Sequence, residues 1–493
     1  MRTRICLYIL LLTPLLVYWQ TVFHDYGMRS DYSHLRAATA EPGRLVKFYA
    51  SEGRPLYGAM LETSYAVTSE VSRLKWLRLC SLLLLTLLGL VLWRQLYQSG
   101  WNEVQSAGIG LGVLLLPSAQ VLASWASGWA QALTLLLAMA GFSAVETEIE
   151  RGGLKRFVAL AGGAMIYAAA SLIAPANVLF ALVPLAGVLV VRTGREMMTD
   201  RSWVLLHLGV LVAGLLGGWI FSQGLLSSGD FLEAGRLLRL ETNPFTKLGW
   251  FLANPLPNAL ALFALNDDFH ARAIIYWGSV ALVLAILYFA YRKVTAKGDE
   301  GVKRRWRYCL IALPLLVIGI TVVAADRAST YRVLFAVCGL VLVLVAFAFR
   351  ILVLGEKPRP WLHYPLLALI WGALAYAAHF NSFRLLAEPQ GREWDIVRNE
   401  VLRANFNQKL RVHLITPGVE DRSTKRIYGD EFGSLSSSDP QVATEMFKAA
   451  VRERFGSRPP RESTYPITAG PTAPASGESD LVIDLRRLKS YRE

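Results

Sequence analysis

Residues 21–76 read TVFHDYGMRSDYSHLRAATAEPGRLVKFYASEGRPLYGAMLETSYAVTSEVSRLKW and separate two apolar runs. This stretch is too long for a tight turn between membrane helices and too charged to enter lipid. The apolar runs around it contain almost no acidic residues. The pattern indicates a polytopic membrane protein whose first loop holds reacting groups, and the alternative is a solvated loop that only connects helices.

The composition supports membrane insertion. Of 493 residues, 54% are hydrophobic, and the mean hydropathy is +0.38. The net charge of +14 comes mainly from basic residues in short loops, where they orient membrane helices, so it does not indicate nucleic-acid binding. The chain has no P-loop, no dinucleotide-binding glycine motif, no HExxH and no CxxC, which argues against a nucleotide-driven pump.

The apolar runs predict about eleven transmembrane helices. The first follows MRTR and reads as an uncleaved signal anchor, because bulky Tyr18 and Trp19 stand where a small-residue cleavage site would be. A cytoplasmic N-terminus then places the basic clusters inside. The first loop, the loop at 223–270 and the C-terminal segment fall on the outer face. The predicted spans are 5–20, 77–94, 106–124, 128–145, 157–174, 176–191, 203–222, 273–291, 307–325, 331–352 and 361–380.

Two domains are predicted. Residues 1–380 form the transmembrane domain, with outer loops 21–76 and 223–270, and residues 381–493 form a small periplasmic α/β domain. Residues 457–480 are rich in Pro, Ser, Thr and Gly, which is typical of a flexible segment. The elements predicted in the C-terminal domain are a helix at 393–405, a strand at 410–416, a helix at 440–455 and a strand at 481–485.

Two acids of the first loop are candidate catalytic residues. A carboxylate at the outer membrane face can take a proton from an acceptor hydroxyl during group transfer. Asp31 is the first candidate for this base and Asp25 the second. The competing interpretation is that either side chain forms a salt bridge or caps a helix.

Several arginines fall on the predicted outer side, where the positive-inside rule gives no reason for them. A guanidinium group binds phosphate through paired hydrogen bonds. The hairpin DRASTYR places two of them at the depth of a lipid phosphate, although each could instead snorkel to headgroups or pair with Asp326. The predicted donor-phosphate ligands are Arg54, Arg327, Arg332 and Arg236. The predicted substrate-binding residues are Arg36, His34 and Tyr32.

Three further segments carry weaker signals. In GRPLYGAML, a glycine and the fixed ring of Pro55 predict a defined turn into an interfacial helix. No cofactor is expected, but Asp267 and Asp268 could bind a divalent metal with hard oxygen ligands, the alternative being a solvated helix start. Residues 428–438, YGDEFGSLSSS, form either a loop that contacts an acceptor or an ordinary turn.

The architecture and the segments SDYSHLR and EGRPLYGAML together resemble the GT-C superfamily of membrane glycosyltransferases, and within it the bacterial Gtr-type proteins that modify O-antigen. The resemblance implies an inverting sugar transfer from a polyprenyl-phosphate donor to a cell-envelope glycan or lipid-linked acceptor at the periplasmic face of the inner membrane. It matches Asp31 to the first-loop acid and Arg54 to the GRPL arginine. The family often has two adjacent acids there, so Asp25 and Asp31 both remain candidates.

Three other functions remain open at this point. A flippase or transporter of lipid-linked sugars is the main rival, and charged residues in the middle of spans would favour it. An O-antigen polymerase or ligase also has many spans and arginine-rich outer loops. A non-catalytic scaffold of an envelope assembly would use the C-terminal domain and would not need Asp31.

Overall fold

The computed structural model describes residues 2–149, 153–192, 199–229, 243–266, 273–296, 300–315, 330–354, 360–418, 431–456 and 458–486. Helices α1–α4 contain the N-terminal apolar run and most of the first loop. Their bounds are Arg2–Phe23, Asp31–Ala40, Arg44–Ser51 and Pro55–Thr68.

The rest of the described bundle consists of apolar helices joined mostly by short connections. In chain order α5–α12 are Leu74–Gln98, Glu103–Leu115, Pro117–Ser124, Gly128–Glu148, Gly153–Ser171, Pro175–Val178, Leu182–Val191 and Asp200–Ser228. Helices α13–α18 are Pro244–Ala253, Pro255–Leu260, Ala273–Ala296, Glu300–Arg307, Phe335–Phe349 and Pro360–Phe380. Because the polar backbone of each helix is satisfied internally, these apolar segments can lie in lipid.

Within the described residues, six helices are long and apolar enough to cross a membrane, or seven if a bent pair counts as one span. That pair, α6 and α7, bends by 54° because Pro117 cannot continue the helix that ends at Leu115. This is fewer than the eleven predicted spans. Two of the others, 157–174 and 361–380, lie in helices of 19 and 21 residues that are long enough to cross, and the first of these is less apolar than the six. Predicted span 176–191 lies in the short apolar run Pro175–Val191, and 307–325 lies partly outside the described residues.

The C-terminal part is a small α/β unit, as the sequence predicts. Helices α19, Glu388–Arg403, and α20, Pro440–Phe455, pack on a three-stranded parallel sheet. The strand order is β2-β1-β3, and Val412 of the central strand is level with Ile467 and Leu481. The strands are β1 Val412–Ile415, β2 Ile467–Gly470 and β3 Leu481–Asp484. Strand β2 lies within 457–480, where the sequence predicts a flexible segment and no strand, and pairing with β1 supplies its backbone hydrogen bonds.

The first loop and the C-terminal unit share one hydrophobic core. Tyr32 and Leu61 of the first loop belong to the same buried cluster as Trp394 and Phe447 of the C-terminal unit. The Tyr32 ring stacks on the Trp394 indole, with 5.8 Å between ring centroids. Burial of this aromatic and aliphatic surface holds the two segments together at one end of the bundle. A continuous helical run from α18 through a π-helical turn, Asn381–Ala387, into α19 connects the bundle to that unit.

The GRPL segment forms the predicted turn and helix. Gly53 has φ +79°, which favours glycine, and Pro55 is the first residue of α4. Gly58 lets α3 and α4 approach closely, because a Cβ there would lie 2.7 Å from the Leu45 carbonyl oxygen. The two glycines therefore fix where the neighbouring Arg54 is placed.

Candidate functional site

Asp31 is the first residue of α2 and is fully buried. Its Oδ2 accepts a hydrogen bond from the Met28 backbone N–H at 2.9 Å. Its Oδ1 accepts one from the Tyr65 hydroxyl and one from Trp125 Nε1 at 3.1 Å. Three donors from three different parts of the chain therefore converge on the acid that the sequence marks as the candidate base.

Burial raises the pKa of Asp31 to about 6. The hydrogen bonds from Tyr65 and Met28, the positive charge of Arg78 and the Trp125 N–H oppose this rise, because each favours the ionised form. A carboxyl with such a pKa is ionised at neutral pH and still accepts a proton readily, which is the property that a general base needs.

Arg332 lies against the same indole that binds Asp31. Its guanidinium carbon is 4.6 Å from the centroid of the Trp125 ring, a cation–π distance. The Arg332 side chain is 30% exposed, so it can reach a ligand. One indole therefore connects the first-loop acid to an arginine that follows it by about 300 residues in the chain.

Arg54 lies beside aromatic rings that reach Tyr65 through His34, whose ring centroid is 5.8 Å from that of Tyr49 and 5.3 Å from that of Tyr65. Its guanidinium carbon is 5.1 Å from the Tyr49 ring centroid and 5.2 Å from that of Tyr57, and it forms an ion pair with Glu52. Burial raises the pKa of Tyr49, and the positive charges of Arg54 and Arg332 both oppose the rise. The structure thus brings together Asp31 and two of the four predicted phosphate ligands.

Arg78 is a site residue that sequence reasoning missed. It is fully buried and donates to the backbone carbonyls of Val22 at 3.1 Å, His24 at 2.6 Å and Tyr26 at 2.9 Å. Its guanidinium carbon also lies 4.0 Å from the centre of the Tyr26 ring. Arg78 therefore shapes the chain between α1 and Asp31. An available signal was its place at the predicted outer end of an apolar run, where the positive-inside rule does not require a cation.

The three predicted substrate-binding residues have internal partners. His34 is buried, with Nε2 2.8 Å from the Tyr49 hydroxyl, and burial followed by the charge of Arg54 lowers its pKa to about 3. Neutral His34 therefore contributes no positive charge near pH 7. The Tyr32 hydroxyl donates to the Gly27 carbonyl at 3.0 Å. Arg36 forms an ion pair with the C-terminal unit, with its Nε 2.5 Å from Glu445 Oε2.

The C-terminal unit contacts the residues just before Asp31. The Arg29 backbone N–H donates a hydrogen bond to Ser436 Oγ at 2.8 Å. The Arg29 Nη2 donates a second one to Ser434 Oγ at 3.1 Å. Glu393, fully buried, accepts from the Ser436 and Ser437 N–H groups at 2.9 and 3.2 Å. Burial raises the pKa of Glu393 to about 7. The serine segment of YGDEFGSLSSS is thus held by Glu393 and in turn holds the first loop.

The remaining predicted positions divide into two groups. Asp25 is described, and its side chain is exposed. The others lie outside the described residues. Among the residues that the structure does describe, no group of three or more His, Cys, Asp or Glu is placed to hold a metal ion. The positions outside are Arg236, Arg327, Asp267 and Asp268.

The raised pKa of Asp31 makes a pH-dependence testable. The folded pKa of about 6 exceeds the ordinary value of 3.8, so folding favours the protonated form. The contribution to unfolding free energy is fully present below about pH 4 and is lost as pH rises through 6, a loss of about 2 kcal/mol between pH 4 and 7. We expect the stability advantage of wild type over Asp31→Asn to shrink by this amount, measured by unfolding in nanodiscs.

Glu393 also becomes ionised in an overlapping pH range, so the difference between the two proteins is the informative quantity. Glu393 contributes equally to the unfolding free energy of wild type and of Asp31→Asn, so its contribution cancels in the difference. A difference that stays constant across this pH range would show that Asp31 does not change its ionisation near pH 6 in the folded protein.

No protein-family model matches this sequence, and no curated protein matches it. Among solved structures, the fold is similar to the archaeal oligosaccharyltransferase AglB from Archaeoglobus fulgidus, solved in complex with an inhibitory peptide and a dolichol-phosphate. The sequence identity is 10% and the TM-score is 0.37. The similarity covers 83% of this chain and 62% of the AglB chain, so this chain spans less than two thirds of that protein's length.

Proposed function

We propose that this protein is an inverting membrane glycosyltransferase. It moves a sugar from a polyprenyl-phosphate donor to a cell-envelope glycan or lipid-linked acceptor at the periplasmic face of a bacterial inner membrane. The observation that carries the proposal is the position of Asp31 and Arg332 on one indole, that of Trp125. A proton acceptor and a phosphate ligand are the two groups that this reaction needs from the protein.

In the proposed reaction, Asp31 takes the proton of an acceptor hydroxyl while that oxygen forms a bond to the anomeric carbon. The bond between the anomeric carbon and the phosphate oxygen breaks, and its electron pair leaves with the polyprenyl phosphate. Arg332 and Arg54 stabilise the charge that develops on the leaving phosphate. The donor supplies its own activated leaving group, so this scheme requires no nucleotide site.

The hydrogen bond from Tyr65 to Asp31 supports this role. The Tyr65 hydroxyl donates to Oδ1, which is the type of contact that an acceptor hydroxyl would make. An acceptor that replaced Tyr65 would leave the carboxylate with the same number of donors. The exchange would therefore avoid the cost of an unpaired buried carboxylate.

A transfer assay on arginine variants tests the proposal. Purified protein in lipid nanodiscs receives radiolabelled polyprenyl-phosphate sugars and a crude envelope glycan. We expect Arg332→Gln to lower kcat/KM by about 10²-fold, since it removes a cation from the leaving phosphate. Arg403→Gln, at a side chain that is 78% exposed in α19, is the matched control and should transfer at the wild-type rate.

The same preparation separates the competing functions. Movement of labelled lipid across a liposome membrane without transfer would replace the proposal with a flippase. Transfer only from a lipid-diphosphate oligosaccharide would indicate a polymerase or ligase. Equal rates for Arg332→Gln and wild type would remove Arg332 from the phosphate site.

A further inference from the structure

The carboxylate of Glu431 is fully buried, and neither of its oxygens accepts a hydrogen bond from the residues the structure describes. Arg332 is its ion-pair partner, with Nε 3.8 Å from Oε1, a distance too long for a hydrogen bond. A buried carboxylate without donors is costly for a folded protein. Its presence is therefore better explained by a bound ligand than by stability.

The backbone around Glu431 is held firmly. Ser434 donates its hydroxyl to the Glu431 carbonyl at 2.8 Å, and Gly433 donates its N–H to Leu385 at 2.7 Å. The adjacent Phe432 is fully buried and packs edge-on against Tyr331, with ring centroids 5.5 Å apart. The carboxylate is thus fixed in place next to Arg332 while neither of its oxygens has a hydrogen-bond donor, which is how a preorganised binding group is built.

Arg332 has matching free donors. Its Nε lies 3.4 Å from Thr330 Oγ1, and its two Nη groups make no hydrogen bond with the described protein. Unpaired guanidinium donors therefore lie beside unpaired carboxylate acceptors. This pair is complementary to a ligand that carries an anion next to hydroxyl groups.

We propose that Glu431 binds hydroxyl groups of the sugar on the lipid-phosphate donor while Arg332 binds the phosphate. This assignment rests on the proposed function and specifies how the donor is recognised. In a glycosyl phosphate a single oxygen joins the sugar ring to phosphorus, so hydroxyls and phosphate lie a few ångströms apart. The 3.8 Å between Glu431 Oε1 and Arg332 Nε is close enough for the two side chains to bind these neighbouring groups of one ligand. Glu431 makes only hydrogen bonds and takes no part in bond breaking.

The test is equilibrium binding to the full-length protein in nanodiscs, with two sets of radiolabelled probes. One set contains polyprenyl phosphate carrying different hexoses and pentoses, and the other contains bare polyprenyl phosphate. We expect Glu431→Gln to weaken binding of the preferred glycosylated probe by about 10- to 100-fold and to leave the bare phosphate unchanged. Arg332→Gln should weaken binding of both the glycosylated and the bare phosphate probe. Glu400→Gln, at a partly exposed side chain of α19, is the control and should change the binding of neither probe.

Thermal unfolding of the same variants separates binding from a structural role. Glu431→Gln removes a buried charge that accepts no hydrogen bond, so we expect a Tm equal to or above that of wild type. Glu431→Asp keeps the charge but shortens the side chain. It should weaken binding of the glycosylated probe and leave binding of the bare phosphate unchanged. A lower Tm for Glu431→Gln, together with lost binding of both probes, would mean that Glu431 stabilises the fold. That result would overturn the inference.

Other outcomes distinguish this inference from the function on which it rests. A wild-type protein that prefers a glycosylated probe, together with an unchanged preference in Glu431→Gln, would overturn only the role of Glu431. A changed KM for the acceptor glycan alone would assign Glu431 to the acceptor and also overturn it. A wild-type protein that binds no glycosylated probe better than bare phosphate would overturn the proposed donor itself.

Discussion

Asp31→Asn should reduce sugar transfer by about 10²- to 10⁴-fold in a protein that still folds, because it removes the proposed base. The amide oxygen can still accept from Tyr65 and Trp125, but the amide nitrogen then faces the Met28 N–H. That donor conflict costs about 1–3 kcal/mol. The removal of a buried charge at neutral pH offsets part of it. Radiolabelled transfer in nanodiscs, together with size-exclusion profiles, measures both effects.

Asp25→Asn is the matched control for this experiment. Asp25 lies in the same loop but its side chain is exposed, so we expect transfer near the wild-type rate. Wild-type transfer should also rise with pH through about 6, as Asp31 becomes ionised. Loss of transfer in Asp25→Asn with normal transfer in Asp31→Asn would assign the base to Asp25.

Arg78→Met should cause the largest loss of stability, about 3–5 kcal/mol of unfolding free energy. The methionine fills part of the space but leaves three inward-facing carbonyls without their donor. It also removes the positive charge that lowers the pKa of Asp31, so that pKa should rise further. Denaturation in bicelles measures the stability, and the pH dependence of transfer reports the second effect.

Arg73→Met provides a comparison just before α5. The Arg73 side chain is 54% exposed and pairs with Glu70 at 3.2 Å, and such surface pairs contribute about 0–1 kcal/mol. We expect little change in unfolding free energy. If Arg78→Met were as stable as Arg73→Met, the carbonyls of Val22, His24 and Tyr26 would not depend on the guanidinium group. Arg78 would then not shape the first loop.

Part of the candidate site could be predicted from the sequence. Asp31 and Arg54 belong to recognisable segments of the first loop, and Arg332 stood out as a cation on the predicted outer side. Each of these signals is local, since it depends on charge beside an apolar run or on a Gly-Arg-Pro turn. The helix that begins at Pro55 is confirmed for the same reason.

The partners of these residues could not be predicted in the same way. Trp125 and Tyr65 belong to no motif in the sequence, and their contacts with Asp31 span 94 and 34 residues of sequence. Glu431 lies in a loop that the sequence marks only as a turn or an acceptor contact. Its unpaired carboxylate becomes visible only when the positions of Arg332 and the surrounding backbone are known.

The sequence by itself determined a mainly helical membrane protein with a small C-terminal α/β unit, because hydrophobic runs and residue periodicity act over a few turns of chain. Tertiary structure alone decided that the first loop and that unit share a core, and that Asp31, Trp125 and Arg332 lie together. These contacts depend on the burial of side chains from distant segments. No local pattern of residues specifies which distant surfaces will exclude water together.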